Sequence, residues 1–167
     1  MSLAQTGLFR ARWTEQIHDE WIGNLRKNRP ELKEEALTRT RQLMNAAVPD
    51  CLITGYEPII ESLPLPDPDD RHVLAAAIRG QAAVIVTYNL KDFPEDALRP
   101  FDIAAEHPDQ FISNLFDLHP PAVTVAVRDM RARLKNPTRS VDELLDTFLA
   151  AELAETVAQL NTMKELL

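Results

Sequence analysis

Apolar residues recur along this chain at two spacings, and the switch between them marks out its elements. Residues 8 to 13, Leu-Phe-Arg-Ala-Arg-Trp, alternate imperfectly and predict a short strand, after which Thr14 has the chemistry of a helix N-cap. Ile17, Trp21, Ile22 and Leu25 then fall at helical spacing. Pro30 and Glu31 open a second helix running to about Ala47, with Leu32, Ala36, Leu43 and Ala47 on one side, and Pro49 ends it. Cys51 to Thr54 reads as a short buried strand, and Tyr56 to Pro66 as a proline-punctuated connection. Val73 to Ile78 forms the body of a compact Ala-rich helix that Gly80 terminates. Ala83 to Thr87 is a continuous β-branched run, the pattern of a strand buried on both faces in a parallel sheet. Phe101 to Ala104 repeats it weakly as an edge strand. Beyond His107 the spacing is helical: Asp109 to Leu118, Ala122 to Leu134, and Val141 to about Lys164, with Asn136-Pro137 as a break and Ser140 with Glu143 as a capping box. The pattern predicts an α/β fold of three layers, a small and mostly parallel sheet flanked by helices, over residues 1–106. Residues 107–167 are expected to form a helical extension packed on the same domain. Leu144, Leu145, Phe148, Leu149, Leu153 and Val157 give that extension an apolar face, for which internal packing is favoured over a partner.

Composition narrows the chemistry. With 167 residues, 45% apolar and 26% charged, the chain fits one globular domain, and its longest apolar run, Val73 to Ile78, is far below the roughly 18 residues of a membrane span. The first residues carry no basic stretch or apolar h-region, and the single Cys51 cannot form an internal disulfide, so a reducing cytoplasm is expected. Four glycines leave no phosphate-cradling loop, and one Cys with four scattered His gives no zinc framework, so any metal must be held by carboxylates. His18, His72, His107 and His119 each stand alone and read as surface or capping residues. A net charge of −8 argues against sequence-independent nucleic-acid binding, although Arg10, Arg12, Arg26, Lys27, Arg29, Lys33, Arg39 and Arg41 crowd the first quarter. Glu31, Glu34 and Glu35 among them make a mixed, solvated helix pair the simpler account.

Three groups of acids lie where a sheet's carboxyl edge would gather them. Glu20 is bracketed by Ile17, Trp21 and Leu25; Asp70 follows Asp67 and Asp69 at the start of the Ala-rich helix; Asp92, with Asn89, comes just past the strand that ends at Thr87. Singly, each has a plain explanation: a solvated helical acid, a helix cap, a turn. Together they offer hard oxygen ligands suited to Mg²⁺ or Mn²⁺, and hence to hydrolysis of a phosphodiester.

Two stretches carry a resemblance. Leu65-Pro66-Asp67-Pro68-Asp69-Asp70-Arg71-His72-Val73-Leu74-Ala75-Ala76-Ala77 and Val84-Ile85-Val86-Thr87-Tyr88-Asn89-Leu90-Lys91-Asp92-Phe93 are similar to the Asp-x-x-(apolar)-Ala-Ala and Thr-x-Asn-x-x-Asp-Phe signatures of PIN-domain ribonucleases, particularly their VapC-like toxin branch. The resemblance covers roughly residues 8 to 106. It implies Glu20, Asp70 and Asp92 as catalytic, metal-holding acids, with Asp69, Asn89 and Thr87 in support. It also implies Mg²⁺ or Mn²⁺, an RNA substrate, an antitoxin partner and a homodimer. With two ions about 3.5 to 4 Å apart, one would activate water and the other steady the leaving oxygen. The family's first acid, on an opening strand of the form apolar-apolar-Asp-x-Asn, has no counterpart in Met1 to Phe9, so the chain is expected to be truncated at its N-terminus. The family's sheet order is similar to 3-2-1-4-5, and the expected loss is its central strand. The strands at 8–13 and 83–87 would then close on each other or accept a strand from another chain. The expectation is an endoribonuclease by descent, impaired in this chain. A non-catalytic PIN-like binding module is the alternative, and a helical scaffold a third.

Overall fold

The computed structural model describes residues 1–167. Its helices are α1 (Glu15–Asn28), α2 (Glu34–Ala47), α3 (Arg71–Arg79), α4 (Glu95–Leu98), α5 (Pro108–Leu118), α6 (Pro120–Arg133), α7 (Val141–Ala150) and α8 (Ala154–Asn161). Two strands, β1 (Val84–Val86) and β2 (Ala104–Glu106), form a two-stranded sheet. Ala104 N–H donates to Ala83 O and Thr87 N–H to Glu106 O, so residue numbers rise together across the pair and the sheet is parallel. The α/β class expected from the sequence is the class found.

The chain divides into two compact units, one of Met1, Arg10–Ile85 and Asn89–Ala105, the other of Ser2–Phe9, Val86–Tyr88 and Glu106–Leu167. In the first, α3 is the hub: Leu74 and Ala75 are fully buried among Ile53, Leu63, Leu65, Ile85 and Leu98. Its small side chains let neighbours approach closely, and Gly80 extends this, since a Cβ there would come within 3.0 Å of Ile53 Cδ1 and Ala76 O. In the second, Val123 and Leu160 are fully buried among Leu115, Phe116, Leu144 and Leu145, with Leu3, Leu8 and Phe9 packed against them.

Several expectations need correcting. The strand at 8–13 is not formed: Leu8 and Phe9 bury their side chains in the second unit, where Phe9 meets Phe111 edge-on at 5.0 Å, and only Trp13 pairs as a strand would. Its partner is Leu52, in a single parallel bridge with bonds of 2.9 and 2.8 Å to Cys51 O and from Ile53 N–H, so the strand at 51–54 also shrinks to one residue. The strands are thus one isolated bridge and one two-stranded sheet, and those expected at 8–13 and 83–87 do not pair with each other. β1 buries Ile85 alone, Val86 being exposed, so it is not covered on both faces.

The second helix starts at Glu34 rather than Glu31, because the preceding residues turn first, Leu32 N–H donating to Arg29 O. Its buried residue is Leu37, and Leu43 is exposed. The edge strand lies at 104–106, since Phe101 belongs to a 3₁₀ turn closed by left-handed Asp102 (φ 55°). The helix expected from Val141 to Lys164 breaks at residues 151–153, where Glu152 takes a φ of 60°. The break is anchored from outside: buried Asp109 accepts hydrogen bonds of 2.8 Å from Glu155 N–H and Thr156 N–H, capping α8 with a residue 46 positions away. Ser140 and Glu143 form the capping box as expected.

Two of the four histidines are not surface residues. His18 is fully buried and His72 nearly so, whereas His107 and His119 do act as N-caps, accepting from Asp109 N–H and Ala122 N–H. Trp21 Nε1–H donates to His18 Nδ1 (2.9 Å), which leaves Nε2–H to donate to Asn45 Oδ1 (2.9 Å); Trp13 Nε1–H donates to the same oxygen (2.8 Å). This network ties α1 to α2 beneath the Trp13 bridge.

Candidate metal centre

Three aspartates converge in the first unit. Asp67, Asp70 and Asp92 each present a carboxylate oxygen, and these oxygens lie within 4.8 Å of one another. Apolar anchors beside each acid set the arrangement. Leu65 and Leu74 are buried on either side of the Asp67–Asp70 turn, and Phe93 is buried next to Asp92. Asp67 caps a 3₁₀ turn of residues 68–70, its Oδ1 accepting from Asp69 N–H at 2.9 Å, and Pro68 fixes the turn's first φ. Asp70 occupies the N-cap position of α3, but its side chain makes no capping bond, so the helix-cap explanation does not account for its carboxylate. Asp92 ends the turn of residues 90–92 that follows β1, and Asn89 Nδ2–H donates to Asp92 Oδ2.

The electrostatics of the cluster are unfavourable by themselves. Burial pushes the Asp70 carboxyl above its ordinary range, and the carboxylates of Asp92, Asp67 and Glu20 push in the same direction, with His72 opposing them. Like charges held this close repel unless a proton or a cation intervenes. An all-carboxylate donor set suits a hard divalent ion such as Mg²⁺ or Mn²⁺, and the residues present therefore fit such an ion.

The other expected site residues are placed differently. Glu20 is on α1, exposed, and does not join the three converging oxygens; its Oε1 accepts from Gln16 Nε2–H at 3.4 Å and lies 2.8 Å from His72 Nε2. Asp69 contributes its backbone N–H to Asp67 and its side chain is exposed. Thr87 donates its backbone N–H to Glu106 O. From the sequence, Asp67 reads as a neighbour of Asp70 and a helix cap rather than as a named ligand, and His72 as a surface or capping residue. The signal for Asp67 was its three-residue spacing from Asp70 across Pro68, a turn short enough to bring both carboxylates to one side.

Comparison with known proteins bears on both units. The family model described as PIN domain matches residues 1–91, and that described as VapC50 C-terminal domain matches residues 108–162. The chain is 48% identical over 79 residues to the protein named "Putative ribonuclease VapC50" of Mycobacterium tuberculosis (strain ATCC 25618 / H37Rv), an alignment covering 47% of this chain and 47% of that protein. The match thus spans about half the length of the relative. No solved structure matches the chain.

Proposed function

Because the chain belongs to the PIN-domain family, whose model its first 91 residues match, we propose that it is a VapC-like, Mg²⁺- or Mn²⁺-dependent endoribonuclease that hydrolyses RNA phosphodiester bonds. The observation that carries this reading is the convergence of Asp67, Asp70 and Asp92. A bound divalent ion would lower the pKa of a water and neutralise charge developing on the scissile phosphate. The chain's own residues do the rest. Asp67, Asp70 and Asp92 would hold the ion, and Asn89 fixes the rotamer of Asp92 through its amide. Glu20 stands beside them as a further acid, whose field reaches Asp70. Asp69 supports the site through its backbone N–H, which donates to Asp67, while a supporting role for Thr87 rests on the family resemblance.

Because only three carboxylates converge and Glu20 lies outside that set, we expect cleavage by the 167-residue chain to be slow. The test is cleavage of a mixed RNA substrate with Mn²⁺ or Mg²⁺, with EDTA and with Asp70→Asn. Metal-dependent cleavage lost in that variant supports the reading; cleavage that persists with EDTA sinks it. The resemblance to VapC-like toxins makes an antitoxin protein the partner to seek and a homodimer the assembly to test. For the division of labour, residues 1–106 would carry the chemistry and 107–167 a supporting extension. No helix is long and apolar enough to cross a membrane.

A further inference from the structure

His72 has no role in the reading above, yet its environment is unusual. Its ring is 3% exposed, and buried imidazoles normally satisfy both nitrogens. Here Nδ1 has no hydrogen-bond partner, and Nε2 comes within 2.8 Å of Glu20 Oε1 without the alignment of a well-directed bond. The two residues come from different helices: His72 from the first turn of α3, Glu20 from α1. They also differ in freedom. The ring is fixed by a helix whose Leu74 and Ala75 are fully buried, whereas the Glu20 side chain is 47% exposed and has three rotatable bonds to settle. Both act on Asp70, Glu20 against its ionisation and His72 in favour, so the pair stands within electrostatic reach of the cluster.

We propose that His72 is a positioning residue for Glu20: its buried ring holds the Glu20 carboxylate at the margin of the Asp67–Asp70–Asp92 cluster, where Glu20 serves as an adjustable fourth oxygen donor. This rests on the reading of that cluster as a divalent-cation site. The ring acts as an N–H donor, Nε2–H donating to Oε1, and a small movement of the exposed carboxylate aligns the bond. Without the ring, Glu20 would spread over solvent-facing rotamers, and its helix alone would not return it to the site. Groups that orient a metal-binding carboxylate from behind typically change metal affinity by about 10- to 100-fold.

The test uses the full chain and Mn²⁺ alone, with binding followed by calorimetry. Glu20→Gln and His72→Ala are each expected to weaken Mn²⁺ binding by about 10-fold. The double variant should be no weaker than Glu20→Gln, and His72→Gln, which keeps a donor, should recover most of the loss. A His72→Ala protein that binds as tightly as wild type overturns the proposal, as do losses that multiply in the double variant. Should His72→Ala fail to fold, ¹⁵N resonances of the His72 ring in the metal-free chain decide the contact: they shift in Glu20→Gln if the pair exists, and an unmoved ring overturns it. Wild-type chain that takes up no Mn²⁺ would overturn the cation site and this role with it. Binding that ignores His72 removes the role alone.

Discussion

Asp70 is harder to ionise in the folded chain than in the unfolded one, and the sign of that change has a measurable consequence. Its folded pKa is raised, first by burial and then by Asp92 and Asp67, so the native state holds the proton more tightly. The metal-free fold therefore loses stability as pH rises from the unfolded carboxylate value through the raised folded one. Asp70→Asn removes the ionisation, and thermal melts of metal-free protein are expected to show a higher midpoint than wild type at neutral pH, with the gap closing in acid. A lower midpoint at both pH values would show that the carboxylate is compensated in some other way. Asn45 is the opposite case, a polar group the fold depends on. Its Oδ1 accepts from both Trp13 and the fully buried His18, so Asn45→Leu strands two N–H donors. At about 1–3 kcal/mol for each unsatisfied buried group, a loss of about 2–6 kcal/mol is expected in urea unfolding. Neither partner of Asn45 is adjacent in sequence. The network joins residues 27 and 32 positions apart, beyond the reach of periodicity, which is why His18 reads as a surface residue until α1 and α2 are brought together.

At the scale of elements, what could be read from the chain was what local chemistry decides. Thr14 caps α1, Ser140 and Glu143 box α7, and Gly80 closes α3, each within four residues of the group it serves. What could not be read was decided at a distance. The strand at 8–13 fails because Leu8 and Phe9 have a better apolar environment near Phe111, and the last helix divides because Asp109 supplies a cap to its second half. Asp109 also sets a pH dependence. Burial pushes its carboxyl up, but the hydrogen bonds from Thr156 and Glu155, with His107 nearby, more than offset this and leave the folded pKa lowered. The contribution is present above the unfolded carboxylate pKa and is lost as pH falls through the folded one. Asp109→Ala should cost about 1–3 kcal/mol at neutral pH, and the difference from wild type should shrink in strong acid. A constant difference across the acid range would assign the loss to packing rather than to the carboxylate.

For the whole molecule, the acids of the centre were legible as types and neighbourhoods but not as a set. Asp70 and Asp92 follow from their places beside an apolar helix and a strand end, whereas convergence is a property of the fold. It admitted Asp67, twenty-five residues from Asp92, and left Glu20 to His72. Convergence also couples the centre to global stability. The first unit places Asp70 at the start of α3, the helix that carries its fully buried Leu74 and Ala75, and Asp92 immediately before the buried Phe93. Unfolding that core scatters the three carboxylates, so an ion that needs all of them binds the native state and not the unfolded chain. Such a ligand stabilises by RT ln(1 + [L]/Kd), about 1.4 kcal/mol at ten times Kd. For a chain of this length that is a rise of about 3–6 °C in melting midpoint. Mn²⁺ is expected to produce a rise of that order in wild type, and Asp92→Asn, which removes one of the three oxygens and the Asn89 contact together, should abolish most of it. Asp102→Asn, an exposed aspartate in a left-handed turn that asparagine also tolerates, should retain the whole rise. Equal rises in all three proteins would mean that Mn²⁺ is binding to surface carboxylates in general, and the converging aspartates would then owe their geometry to the turn and helix that carry them.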